Sequence, residues 1–254
     1  MPEREYIVPD WPAPDFIHAV VTTRAGGVSK PPFDSFNLAD HVGDDADDVA
    51  TNRQLLVEDL ALPGSPQWLS QVHGQQVAKL ATLTSTTPIE ADASYTAQTE
   101  NVCAVLTADC LPLLIYDQQQ HAIAAAHAGW RGLAGGVIES TLECFLQSDI
   151  AVKPENIMVW LGPAISARHF EVGADVYDAF TRTNPSTKQA FEQTSETTWL
   201  ADMYILARQR LAKMGVHQVY GGDLCSYADS RFYSYRRDKR TGRMASLIWK
   251  SADN

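Results

Sequence analysis

Val102-Cys103-Ala104-Val105-Leu106-Thr107-Ala108-Asp109-Cys110-Leu111-Pro112-Leu113-Leu114-Ile115-Tyr116 is apolar almost throughout, broken only at Asp109-Cys110-Leu111-Pro112. A continuous apolar run flanked by small residues reads as strand buried on both faces. The break sets a carboxylate and a thiol where one strand ends and the next begins. Outward from here, residues 17–23 read as a strand running into Arg24-Ala25-Gly26-Gly27-Val28. That Gly-Gly turn suits a hairpin or a close backbone approach to a ligand. Residues 68–80 read as two short strands interrupted at His73-Gly74, and residues 121–127 as an alanine-rich strand. Residues 157–161 form a buried strand ending in Gly162-Pro163, and residues 216–220 a short one.

Between these strands lie helical patterns. Residues 49–60 carry Leu55, Leu56, Val57 and Leu60 on one side, and the acidic residues 44–48 suit the positive end of that helix. Residues 132–146, 172–182 and 199–214 also read as helices. Residues 30–37 are a Pro-rich loop, and the polar residues 184–198 read as a mobile loop. A closing hairpin is expected over 231–249 through Lys239-Arg240-Thr241-Gly242. Strand pairs with intervening helices predict an α/β or mixed α+β fold with a mixed sheet. With no internal repeat and no linker, residues 1–254 read as one domain.

A formal charge of -11 argues against nucleic acid and against an anionic membrane surface as partners. The N-terminal segment is acidic and proline-bearing rather than basic and then apolar, and no apolar run approaches the roughly 20 residues of a membrane span. A cytoplasmic protein is the expectation. The four cysteines include no Cys-x-x-Cys pair, and Cys103 and Cys110 fall on opposite sides of a strand. Cys144 reads as a small core residue of a helix, so free thiols are expected.

Three residues carry the chemistry: His73 in Gln71-Val72-His73-Gly74, Cys110, and His127 in His127-Ala128-Gly129-Trp130-Arg131-Gly132. Each lies in or beside an apolar run, next to small residues, where a strand would end. Two imidazoles and a thiolate make a three-ligand zinc site with an open fourth position, which lowers the pKa of bound water or polarises a substrate atom. The same residues make a nucleophilic cysteine with His127 or His73 as base and Asp109 as orienting group. Residue type alone does not decide between the two. Both readings point to an enzyme.

A wider set of motifs narrows the choice. These are Thr22-Thr23-Arg24-Ala25-Gly26-Gly27-Val28-Ser29, Asn37-Leu38-Ala39-Asp40-His41-Val42-Gly43-Asp44, Gln71-Val72-His73-Gly74 and Ala91-Asp92-Ala93. They continue with Thr107-Ala108-Asp109-Cys110-Leu111-Pro112, His127-Ala128-Gly129-Trp130-Arg131-Gly132, Leu161-Gly162-Pro163-Ala164-Ile165 and Phe232-Tyr233-Ser234-Tyr235-Arg236-Arg237-Asp238. In this order, from about residue 6 to 249, the chain resembles the YfiH family, also called the laccase-domain or polyphenol-oxidase family. The resemblance implies a fold like that of putative cysteine hydrolases, a β-sandwich-like α/β arrangement. It implies a purine nucleoside phosphorylase acting on adenosine, inosine and methylthioadenosine, with adenosine deaminase activity as well. It implies zinc held by His73, Cys110 and His127. Members have also been described as copper-dependent polyphenol oxidases and as editing factors for cell-wall precursors.

Physical chemistry weighs these labels. A multicopper oxidase needs on the order of ten histidines for its copper centres. This chain has seven and no His-x-His pair. Copper still binds a His/Cys/His site tightly, because it tops the affinity series. Phosphorolysis calls for arginines: Arg24 beside the Gly-Gly turn, Arg131 near a helix start, and Arg236 or Arg237, with Arg131 preferred. Deamination calls for a proton carrier, for which Asp109 and His41 are candidates, although the His-x-Glu and Pro-Cys-x-x-Cys signature of zinc deaminases is absent. Trp130 and Phe33 are candidates to stack on a purine. The leading expectation is a zinc-dependent purine nucleoside phosphorylase with purine nucleosides and phosphate as its small-molecule partners. The alternatives are a cysteine-type amide hydrolase, a copper-dependent polyphenol oxidase and a non-catalytic zinc-stabilised binding protein. The sequence leaves the oligomeric state open.

Overall fold

The apolar run that opens the reading supplies one strand to each of two stacked sheets. Cys103–Thr107 joins an antiparallel four-stranded sheet in the order Tyr6–Ile7, Ile17–Thr22, Met244–Lys250, Cys103–Thr107. Leu111–Asp117 joins a six-stranded sheet in the order Gln218–Gly221, Ile157–Leu161, Leu111–Asp117, Ile123–Ala128, Ala93–Thr96, Val77–Lys79. Its two outermost pairings are parallel and the three inner ones antiparallel. The chain therefore crosses from sheet to sheet at Ala108-Asp109-Cys110. This computed structural model describes residues 4–80, 88–146, 152–182 and 184–251.

The period-2 alternation of each strand sorts its side chains into different cores. Leu114 and Tyr116 face Val21, Val105 and Ile248 between the sheets. Leu111, Leu113 and Ile115 face the other way, onto Val137, Ile138, Leu142 and Phe145 of the helix Val137–Leu146 and Leu206 of the helix Met203–Lys213. Beyond the four-stranded sheet, Ala104, Leu106 and Leu247 pack with Phe36, Leu38 and Leu56, the last from the helix Ala46–Asp59. The layers run helix, sheet, sheet, helices. Burying each such leucine or isoleucine contributes about 1.5–3 kcal/mol, which is why strands apolar on both faces settle in the middle. The mixed α/β class expected from the sequence is the observed one.

Several element boundaries differ from the sequence reading. The helix expected over 132–146 is two, Trp130–Gly135 and Val137–Leu146, because Gly136 adopts φ 110 and ends the first. The segment 172–182 begins with the strand Glu171–Gly173 before the helix Ala174–Thr181. The segment 199–214 begins with Thr198–Ala201, and Asp202 then caps Met203–Lys213 by accepting from Ile205 N–H. Residues 184–198 are a 3-10 segment, Pro185–Ala190, followed by the strand Phe191–Gln193. This strand and the two just named form a small antiparallel sheet. No hairpin forms over 231–249. Ser234 caps a short helix, Tyr235–Asp238, and the Arg237 guanidinium donates to the carbonyls of Ser226, Tyr227 and Phe232, folding the segment on itself. Met244–Lys250 pairs instead with strands far away in sequence. Among the described residues no helix is long and apolar enough to cross a membrane.

The Gly26-Gly27 turn does not make a hairpin either. A Cβ on Gly27 would lie 2.3 Å from the Ser35 carbonyl oxygen, so the turn packs against the loop over 30–37. Buried Asn52 holds both together, accepting from Val28 N–H at 2.9 Å and donating to Ser29 Oγ and the carbonyls of Ser35 and Asn37. Asn52→Ala strands these buried partners. It should lower stability by roughly 2–4 kcal/mol, read as a lower midpoint in chemical denaturation.

Candidate metal centre

Leu111–Asp117 and Ile123–Ala128 pair with Leu111 opposite Ala128 and Pro112 opposite His127. Cys110, one residue ahead of that register, therefore lies beside His127. His73 reaches the same place from a turn in which it adopts φ 60, a left-handed conformation for a non-glycine residue. One ligand atom from each of His73, Cys110 and His127 lies within 4.8 Å of the others. Cys110 Sγ is 3.8 Å from His73 Nε2, and the two imidazole rings meet edge to face with centroids 4.7 Å apart. His127 is buried, Cys110 half-buried and His73 exposed, so the cluster opens to solvent past His73.

Asp92 organises this arrangement from a fully buried position. Its Oδ1 accepts from His127 Nδ1 at 2.8 Å and from His73 N–H at 2.9 Å. Its Oδ2 accepts from the N–H groups of Gly74 and Val72 at 2.6 and 3.2 Å. With Nδ1 engaged, His127 turns Nε2 to the cluster, the usual way a ligand imidazole is oriented. Burial alone would push the Asp92 carboxyl up, yet the His127 hydrogen bond and the backbone donors outweigh it and hold the group ionised. Sequence reasoning did not place Asp92 among the site residues. Its signal was an acid between Ala91 and Ala93 at the start of a buried strand, where a charge is costly unless paired.

The Cys110 thiol and the His127 imidazole each favour the other's charged form. Burial opposes charge on Cys110, but the adjacent His127 imidazolium and hydrogen bonds from both histidines overcome it and lower the thiol to about 6. Burial likewise opposes charge on His127, and the Cys110 thiolate together with Asp92 raises it to about 9.

The donor set fits a tetrahedral metal. Zinc bonds of about 2.3 Å to sulfur and 2.0 Å to nitrogen place neighbouring ligand atoms roughly 3.5 Å apart, close to the sulfur–nitrogen distance here. Gly129 makes room for this. An alanine Cβ there would lie 2.6 Å from His73 Cδ2 and 3.2 Å from Cys110 Sγ. Gly129→Ala should therefore lower metal affinity at least tenfold, about the effect of disturbing ligand orientation, while far-UV circular dichroism stays unchanged.

The other sequence candidates fall elsewhere. The Asp109 carboxylate accepts from Ser226 Oγ at 2.7 Å and from Arg236 N–H at 2.6 Å, so it pins the crossover that presents Cys110. Arg131 is exposed, its guanidinium over the Trp130 ring at 4.6 Å, with no hydrogen bond or ion pair from that group among the described residues. Arg24 is committed to Asp34 and lies over Tyr233. His41 is 57% exposed beside Asp40. Among the described residues no hydrogen bond or ion pair joins Arg24 or His41 to the cluster. Arg236 donates to the carbonyls of His169 and Glu171, Phe33 is buried beneath Arg240, and Trp130 packs against the helical core.

Residues 18–251 match the family described as multi-copper polyphenol oxidoreductase laccase. The chain belongs to this family. It is 53% identical over 244 residues to purine nucleoside phosphorylase YfiH of Shigella flexneri, covering 96% of this chain and 98% of that protein. It is 47% identical over 246 residues to a purine nucleoside phosphorylase of Haemophilus influenzae, with the same coverage. Among solved structures of similar fold, Neisseria meningitidis protein NMB0706 superposes with a TM-score of 0.91 at 46% identity, over 97% of this chain and 99% of that one. YlmD from Geobacillus stearothermophilus also reaches 0.91, at 31% identity, over 99% and 98%. The chain thus carries the His73/Cys110/His127 cluster at the crossover between its four-stranded and six-stranded sheets.

Proposed function

We propose that this protein is a purine nucleoside phosphorylase that cleaves adenosine, inosine and methylthioadenosine with phosphate at a zinc centre held by His73, Cys110 and His127, with adenosine deamination as a side activity. The observation that carries the reading is the three-ligand cluster, open past His73 and oriented by Asp92. The names of the relatives supply the substrate class. In phosphorolysis a phosphate oxygen bonds to C1′ of the ribose as the bond from C1′ to the purine nitrogen breaks, and the departing base takes up a proton. Zinc, when bound, supplies a Lewis-acid charge at an open coordination position. The chain itself orients His127 through Asp92 and presents His73 from its strained turn, while the exposed Arg131 guanidinium, over the Trp130 ring, makes no ion pair among the described residues. Deamination at the same place exchanges the C6 amino group of adenine for water oxygen and releases ammonia. Copper binds the same donors and is the competing metal.

One observation favours a second reading. Cys110, His127 and Asp92 also stand as nucleophile, base and orienting acid, the order a cysteine amide hydrolase uses. Chelator treatment separates the two. Metal-stripped protein should lose base release and regain it with one equivalent of zinc per chain. Undiminished activity in metal-free protein, abolished by iodoacetamide at Cys110, would transfer the role to the thiol.

A further inference from the structure

Arg243 is a half-buried cation without a carboxylate partner. It directly precedes the strand Met244–Lys250, whose Met244 pairs with Thr107, so the register brings it alongside the Ala108-Asp109-Cys110 crossover. Its backbone N–H donates to Asn37 Oδ1 at 3.0 Å, and its Nη1 donates to the carbonyls of Thr241 and Gly242 at 2.9 and 3.0 Å. The guanidinium lies 5.9 Å from the centre of the Tyr235 ring. These contacts fix the group while using one of its three nitrogens. Among the described residues Nε and Nη2 make no hydrogen bond, and no carboxylate lies within ion-pair distance.

The chain has 31 acidic residues for 20 basic ones, yet Arg243 shares with Arg236 a half-buried place without a carboxylate partner among the described residues. The Arg236 guanidinium donates to the carbonyls of His169 and Glu171, whereas Arg243 lies beside the Cys110 crossover. Arg4, Arg24, Arg53, Arg210, Arg231 and Arg237 each hold a carboxylate. Taking a guanidinium partly out of water without a partner is costly. The register sets Arg243 opposite Ala108, two residues from Cys110, and burial lowers its pKa while Cys110, Asp109 and Tyr235 act against that. The Asp109 carboxylate is already occupied by Ser226 and Arg236.

We infer that Arg243 is the anion-binding residue of this centre, donating through Nε and Nη2 to two oxygens of the phosphate co-substrate. The edge formed by Nε and Nη2 is the planar fork that matches phosphate bidentately. Identifying the anion as the co-substrate rests on the phosphorylase reading; the anion site itself does not.

The test is titration calorimetry of inorganic phosphate into the zinc-loaded protein and its Arg243→Gln and Arg243→Lys variants, followed by kinetics with adenosine. Arg243→Gln should weaken phosphate binding about tenfold or more, with zinc content and melting temperature unchanged. Arg243→Lys keeps the charge but not the fork and should fall between. In turnover, KM for phosphate should rise with KM for adenosine nearly constant. A wild-type protein that binds no phosphate, or a Gln variant that binds it as tightly, overturns the assignment. Phosphate held through Arg243 by a protein that leaves adenosine intact would keep the site and remove the phosphorylase reading. Phosphorolysis with an unchanged KM for phosphate in Arg243→Gln would do the reverse.

Discussion

Cys110→Ser should abolish stoichiometric metal binding and nucleoside cleavage together. The serine hydroxyl is not ionised near neutrality, so the substitution leaves two imidazoles where the cluster has three donors. Loss of an outer partner of a metal ligand typically costs 10–100-fold in affinity or activity, so loss of a ligand should exceed roughly 100-fold. The fold should survive, because Cys110 is half-buried at a crossover whose conformation is fixed by Asp109, Ser226 and Arg236 rather than by the thiol. The check is metal content by elemental analysis beside turnover of the same sample. Full zinc occupancy in the serine variant would show that Cys110 is not a ligand.

Asp92→Ala should have the second largest effect, and a different character. The carboxylate serves two ends at once, orienting His127 and gathering the N–H groups of Val72, His73 and Gly74. Removing it leaves several donors unpaired beside a buried strand, each costing about 1–3 kcal/mol. The expected outcome is a large fall in denaturation midpoint together with loss of metal affinity, whereas Cys110→Ser loses metal with little change in the fold. Asp92→Asn separates the two roles. The amide oxygen can still accept from the Gly74 and Val72 N–H groups, while its NH2 then faces the His127 Nδ1–H and the His73 N–H, which lose their acceptor. It should recover part of the stability and little of the metal affinity. Equal recovery of both would show that Asp92 acts only as a backbone cap.

How far the fold could be read from the chain depended on whether local chemistry or distant pairing decided each element. The run from Val102 to Tyr116 was legible because burial on both faces demands apolar residues at every position, and its break marked the crossover correctly. His73, Cys110 and His127 were legible as ligand types beside small residues, although only the strand register brings them together. The segments misread as single helices hid caps: Gly136 in a left-handed conformation and Asp202 at an N-terminus each start or stop a helix inside a continuous apolar pattern. The segment over 231–249 failed as a hairpin because Arg237 spends its donors on nearby carbonyls, a choice that periodicity does not record. Asp92 and Arg243 were missed for a shared reason. Each owes its place to a partner far along the chain, so spacing gives no clue to it.

The most direct test is chromatography of adenosine incubated with zinc-loaded protein, with and without phosphate. Adenine and ribose 1-phosphate should appear in equal amounts with phosphate and not without it, while inosine should form slowly in both. Adenosine left intact under both conditions would contradict the nucleoside phosphorylase reading.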